Sequence, residues 1–387
     1  MIKQQSKFLR TIVLCLILCM MLSLYACNFL QAPIAIERME FCQSLSVDIE
    51  GDNFVLGVAL KKIKPSSGGT GDEGGSGDSS VELIKQSGKS FSSIIQQLQS
   101  RRPKIIFFGD IEMVLVSNEL LKQHFGSFVD FFVRNGDFSE YTSVFAVENN
   151  AYDVLDNMQK NDRNSVDIAI KAKSIQSSMW TNPINFLQMI SMLEPNTSGT
   201  IPAIQQINVG KNKEFEVSGF VVIHNTKMVG VLDKNLSMGL NAVKNRIKDG
   251  LIDLEVSYND QKVVVGVDSI TVKSCILSKD DDAKTFDIKV CVDAAITELS
   301  DNDIPADDLI QLSQDELSRI FRDVVQSCTT KSQDMKVDIL GLYNAFRWNH
   351  KLKAQDLHSQ WGEIYKQAQV NFLVESSIKR THLASVE

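Results

Sequence analysis

Ser100 to Leu120 reads SRRPKIIFFGDIEMVLVSNEL, and this short stretch carries a helix stop, two strands and the approach to a helix. Pro103, after Arg101-Arg102, ends the helix before it, because proline crowds its predecessor out of the helical region. Ile105–Phe108 and Glu112–Val116 are rich in Ile, Val and Phe, the composition of strands, and Gly109-Asp110 is the break between them. Helical spacing resumes over Asn118–Phe125 and Ser127–Arg134.

The same alternation extends outward. Upstream, Phe91, Ile94, Ile95 and Leu98 recur at helical spacing. Strand-like runs at Asn53–Lys61 and Val81–Lys85 flank Pro65–Ser80, PSSGGTGDEGGSGDSS, which holds six Gly, five Ser, three acids and nothing apolar. Such a segment cannot build a core and reads as a flexible hairpin-type insert within one domain. Downstream come a strand at Tyr141–Val147 and helices near Ala151–Gln159 and Pro183–Leu193. Residues 195–213, with Pro195, Gly199, Pro202 and Gly210, show no clear period and suggest the domain boundary.

In the second half, Glu216–His224 and Lys227–Leu232 flank Asn225-Thr226 as a hairpin. A helix near Ser237–Lys248 follows, then strands at Leu251–Ser257, Lys262–Val267, Ile270–Leu277 and Phe286–Val292. Ser313-Gln314-Asp315-Glu316 fits a capping box opening an amphipathic helix, with Leu317, Ile320, Phe321, Val324 and Cys328 inward. Trp361, Ile364, Tyr365 and Ala368 mark a shorter helix, and Val370–Ile378 alternates as a last strand. Strands mixed with helices, without strict βαβ repetition, predict an α+β, multi-domain protein, each domain a mixed or antiparallel sheet packed by helices. The expected units are 27–205, carrying the 65–80 insert, and 206–387, in one or two subdomains.

The N-terminus says where the protein works. Lys3, Lys7 and Arg10 precede an uncharged apolar run over 11–26 that ends Leu24-Tyr25-Ala26-Cys27. Basic start, apolar middle and small residue at the cut form a signal peptide over residues 1–26. A cysteine at the next position resembles a bacterial lipobox, so Cys27 is the expected site of lipidation, tethering the mature chain outside the cytoplasmic membrane. The run is short of the ~20 residues a spanning helix needs.

Chemistry is harder to find. The chain of 387 residues has 43% hydrophobic and 23% charged residues and a net charge of −8. That is an ordinary globular composition, with no basic surface for nucleic acid. Gly69-Thr70-Gly71-Asp72-Glu73-Gly74 matches a dinucleotide fingerprint only literally, since Gly and Ser continue on both sides. Ser87-Gly88-Lys89-Ser90 lacks the first glycine of a phosphate loop and reads as a turn and helix cap. His124, His224, His350, His358 and His382 have no metal-ligand spacing. The acids Asp280-Asp281-Asp282 and Asp301, Asp303, Asp307 and Asp308 lack calcium-loop spacing and read as solvated loops. Trp180, Trp348 and Trp361 read as packing residues, and Cys291 and Cys328 as small buried hydrophobes. No catalytic residues, metal ligands or cofactor follow, and the chain is not expected to be an enzyme.

Taken in order, these features resemble the Ger(x)C family of spore-germination lipoproteins. The resemblance rests on Cys27, Glu37 and SLSVDIEG ending at Gly51, then on the Gly/Ser insert and SGKSFSSIIQQL from Ser87. It continues through SRRPKIIFFGDIEMVLVSNEL and Val217–Leu240. It ends with Lys331, Gln333, Asp334, Asp338, Ile339, Leu340, Gly341 and Trp361. It implies the C subunit of a spore germinant receptor, lipid-held at the outer face of the cytoplasmic membrane, in spores the inner spore membrane. There it would act by protein–protein contact with membrane subunits. The alternative is a solute-binding lipoprotein of a transporter, which would show two doubly wound lobes around a cleft. A lipid-anchored hydrolase lacks a nucleophile–base or metal set.

Overall fold

The computed structural model describes Met20 and residues 35–61, 81–160, 179–209, 212–299 and 304–381. Cys27, His382 and the 65–80 insert, with its literal GxGxxG, lie outside the described residues.

The organising strand is β1 (Met39–Glu50). It pairs antiparallel with β2 (Asn53–Lys61), which pairs antiparallel with β3 (Val81–Gly88). Ser90 caps α1 (Phe91–Ser100), its hydroxyl accepting the Ser93 amide at 3.2 Å, so SGKS is indeed a turn and cap. After β4 (Ile105–Phe107), a short parallel partner of β1, Gly109 lies in a turn.

From β5 (Met113–Ser117) the chain crosses through α2 (Asn118–Arg134) to β6 (Ser143–Val147), then through α3 (Ala151–Lys160) and a later short helix, α4 (Phe186–Met189), to β7 (Ser198–Val209). Strands β1, β5, β6 and β7 are mutually parallel, and the antiparallel β8 (Asn212–His224) and β9 (Lys227–Leu232) complete the order β3-β2-β1-β5-β6-β7-β8-β9. The 205/206 division falls inside β7, which is bonded to β6 and β8, so the sheet continues through it.

The central strands carry unbroken apolar runs because both sheet faces are covered. Val114 and Val116 of β5 face a core with α1 and α2, while Met113 and Leu115 face a second core with Leu155 and Met158 of α3. Asp48, buried in β1, accepts the Ala151 and Tyr152 amides at 2.7 and 2.9 Å and so anchors the start of α3.

A second, four-stranded sheet runs β10 (Gly250–Tyr258), β11 (Gln261–Ser278), β12 (Thr285–Leu299), β13 (Gln369–Thr381), antiparallel except for the β12–β13 edge. One face packs on α5 (Lys234–Val243), the 29-residue α6 (Ala306–Asp334), α7 (Leu342–Asn349) and, beyond α8 (Lys351–Leu357), α9 (Trp361–Gln367). The fold is α+β, with two mixed sheets packed by helices.

Several elements differ from the sequence reading, each for a local reason. The two helical stretches expected over 118–134 are present within α2, but the break between them falls at the non-helical His124 (φ −132°, ψ 22°) and not after Phe125. Most of the aperiodic 195–213 region is strand, β7 from Ser198 to Val209 and the start of β8 from Asn212; the period of β7 is hidden because Ile201–Ile204 are buried consecutively, with Pro202 at a register shift. The strands expected at 262–267 and 270–277 join into β11 through an irregularity at Ser269 (φ 52°). Ser313 caps nothing: α6 begins at Ala306, Asp307 and Asp308 supply first-turn acids, and the buried Ser313 hydroxyl has no partner. The inward set of Leu317, Phe321, Val324 and Cys328 is buried as expected.

Candidate functional site: a cleft between the two sheets

A cleft of about 790 Å³ opens where the end of the first sheet meets the helices of the second. One wall is the segment from Asn182 to Thr200 with the β8–β9 turn. The other is the C-terminal end of α5, the loop from Met335 to Gly341 and the start of α9.

The first wall is built around a left-handed turn. Asn225 and Thr226 sit at φ 48° and 60°, the two-residue hairpin geometry. The Asn225 side chain accepts the Asn196 amide at 2.6 Å, and its Nδ2 donates to His224 Nε2 at 3.1 Å. His224 Nδ1 in turn donates to the Thr197 carbonyl at 3.1 Å. Burial pulls the His224 pKa below 6.5, so it stands neutral, protonated on Nδ1.

Asp338 organises the second wall. Its Oδ1 accepts the Gly341 and Leu342 amides at 2.6 and 3.0 Å; its Oδ2 accepts Tyr343 N at 2.7 Å and Trp361 Nε1 at 3.0 Å. Gly341 holds φ 89°, a left-handed position that suits glycine, and α7 starts directly after it. Gln333 donates to the Tyr365 and Ala368 carbonyls at 2.9 and 2.8 Å. In the late motif, Asp338 thus joins Gly341 to Trp361 at the start of α9, and Gln333 holds the far end of the same helix. Ser198 Oγ bridges the walls, donating to the Asp338 carbonyl at 3.0 Å.

Two cations end α5 at this cleft. Lys244 and Arg246 are both half-buried, and neither has a carboxylate within ion-pair distance among the described residues. Burial lowers the pKa of each; for Lys244, Asp338 opposes the fall and Arg246 adds to it. Lys244 Nζ lies only 2.9 Å from where a Cβ on Gly341 would stand, so the glycine makes room for it. Nothing in the sequence singles them out: NAVKNRIK over 241–248 has the basic ending of any helix.

The other candidates are dispersed. His124 packs edge-on against Phe54, His350 lies 3.5 Å from Asp281, and His358 packs edge-on against Tyr343. Among the described residues no group of three His, Cys, Asp or Glu side chains is placed to hold a metal ion. Asp280 closes the β11–β12 turn, accepting the Asp282 and Lys284 amides. Cys42 and Cys328 are buried, their thiols pushed up by desolvation, Cys291 is half-buried and Cys275 is exposed. Trp361 floors the cleft and Trp180 holds Lys234 over its ring at 4.2 Å. Trp348, expected to pack, is 89% exposed, because it lies on the outer side of the short helix α7, opposite the buried Leu342 and Phe346.

Residues 33–206 match the family described as "Spore germination protein N-terminal domain", and residues 218–382 match "Spore germination B3/ GerAC like, C-terminal". The crystal structure of the GerBC protein aligns with a TM-score of 0.52 and 16% identity, covering 87% of this chain and 96% of that one, and has the same fold. No curated protein matches the chain. The two matches follow one another along both sheets and take in both walls of the cleft, and the chain belongs to the Ger(x)C family of spore germination proteins.

Proposed function

We propose that this chain is the lipid-anchored C subunit of a spore germinant receptor, acting through protein–protein contacts with the receptor's membrane subunits. The observation that carries the reading is the ordered pair of germination-family matches behind Leu24-Tyr25-Ala26-Cys27. Cleavage before Cys27 and diacylation of its thiol would hold the chain at the outer face of the cytoplasmic membrane, in spores the inner membrane. One acyl chain binds a bilayer marginally and two hold it stably, each buried methylene contributing ~0.8 kcal/mol. Among the described residues no helix is long and apolar enough to cross a membrane. The solute-binding alternative calls for two doubly wound lobes; here both edges of the first sheet are antiparallel, and the second is antiparallel but for one edge.

The test is Cys27→Ala. The variant is expected to accumulate as uncleaved precursor or to leave the membrane fraction, while the wild-type chain co-purifies from spore inner membranes with multi-span membrane proteins. An unmodified Cys27 in a membrane-bound, receptor-associated protein would contradict the anchoring.

A further inference from the structure

We propose that the cleft between the two sheets is an oxyanion-binding site, in which the Lys244 ammonium and the Arg246 guanidinium receive the phosphate or carboxylate group of a small ligand. The inference goes beyond the receptor-subunit reading and does not rest on it. Removing a cation from water without a counter-charge is unfavourable, and buried charges in folded proteins are ordinarily paired or ligand-bound. Here two such cations follow the end of α5, two residues apart, and line the same cleft; Arg246 Nη1 donates to the neutral Asn241 Oδ1 at 3.4 Å, and among the described residues neither cation has a protein carboxylate within ion-pair distance.

The acids in the cleft are otherwise engaged. Asp338 already accepts four N–H donors, Glu363 pairs with Lys336 at 2.5 Å, and Glu194 is exposed. His224 is held neutral and adds no competing charge. An oxyanion placed between Lys244 and Arg246 would satisfy a point charge on one side and a planar fork of donors on the other, the pairing that suits phosphate and carboxylate.

Size and lining favour a small molecule over a protein segment. A volume near 790 Å³ lies within the ~300–1,000 Å³ range of small-ligand pockets. Met192, Ile339 and Trp361 give apolar surface, and Asn182 and Asn344 give neutral hydrogen-bonding groups beside the cations. Gly341, lacking a Cβ, keeps the space against Lys244 Nζ open.

The experiment is thermal unfolding of the full chain in detergent, titrated with inorganic phosphate or with succinate, each against sodium chloride at equal ionic strength. At one hundred times its dissociation constant, an anion that binds only the folded state raises the folded-to-unfolded ratio about a hundredfold, a saturable rise in Tm. A rise with phosphate alone assigns a phosphate ligand, and a rise with succinate alone a carboxylate. Lys244→Met with Arg246→Met, which keeps the apolar stems, is expected to abolish the rise. Lys379→Met, whose ion pair with Asp293 lies outside the cleft, is expected to keep it. Wild-type protein that shows no saturable rise beyond chloride overturns the proposal without any variant. A rise that survives in the double variant overturns it as well, by placing the anion elsewhere.

Discussion

Gly239→Ala tests how closely α5 and α6 approach, because two effects of similar size and opposite sign meet there. In an isolated helix the change favours folding by about 0.8–1 kcal/mol, since alanine has less backbone freedom to lose. In this structure a Cβ at Gly239 would sit 2.2 Å from the Val324 carbonyl oxygen, 2.7 Å from its carbonyl carbon and 2.9 Å from Cys328 Cβ. The first two obstacles are backbone of α6 and have no rotamer to yield. To restore an ordinary contact α5 must retreat by about 1 Å, a gap that forfeits a quarter to a half of each dispersion contact it opens. Met238, Leu240, Ala242 and Val243 all lie in the core on that helix. Overpacking of this kind costs about 1–3 kcal/mol, and the rigid obstacle places it at the upper end. The net expectation is a loss of about 2 kcal/mol after the helix-propensity gain is subtracted.

Gly126 in α2 is the internal comparison. Its added Cβ meets only Thr226 Cβ at 3.9 Å, so Gly126→Ala is expected to be neutral or to stabilise by up to about 1 kcal/mol. Urea unfolding measures both: the midpoint should fall for one variant and hold or rise for the other, with the slope unchanged. A Gly239→Ala protein as stable as wild type would refute the close helix contact.

Asp338→Ala leaves four donors without their carboxylate and should lower stability by about 2–4 kcal/mol in urea, with Asp338→Asn intermediate because one acceptor remains. Lys244 releases its proton at lower pH when folded than the 10.5 of an ordinary lysine. The unfolded state thus binds more protons between those values, and stability should rise with pH across that window. The difference curve between wild type and Lys244→Met isolates this rise, because other titrating groups, such as the buried Tyr365, cancel. Replacing residues 65–80 with a short Gly-Ser turn should leave the melting temperature nearly unchanged: Lys61 and Val81 already pair at the base of the β2–β3 hairpin, and loop closure changes by only ~0.6 kcal/mol per doubling. A large drop would show that the segment binds or packs.

The sequence showed element type where burial is one-sided and hid it where burial is two-sided or irregular. The inward stripe of α6 and the alternation of β12 were legible because a single face of each meets the core. β7 was not, since Ile201–Ile204 are buried on both faces and lose the period of two. The box at Ser313 failed because capping chemistry is local, whereas α6 already runs from Ala306, held in the core through Leu309 and Leu317, and Ser313 lies inside it. The motif of Gln333, Asp338, Gly341 and Trp361 was visible as a resemblance, but not that Asp338 would join Gly341 to Trp361. Lys244 and Arg246 were invisible as a pair. Their character comes from desolvation and, among the described residues, from the lack of a carboxylate partner, which are properties of the surroundings and not of the residues.

What fixes the cleft's geometry is β8. Its alternate side chains serve different cores: Val221 and Ile223 pack with α2 and the first sheet, while Phe220 and Val222 pack with α5 and the second sheet. Leu232 of β9 joins the second group. Burying each such side chain contributes ~1.5–3 kcal/mol, so Phe220, Val222 and Leu232 together oppose separation of the halves by about 5–9 kcal/mol. That approaches the whole folding stability of a typical domain, ~5–15 kcal/mol. The two sheets therefore behave as parts of one body, and the β8–β9 turn that forms one wall of the cleft is rooted in both cores. A site with walls held this way is organised before its ligand arrives, and little ordering remains to be done on binding.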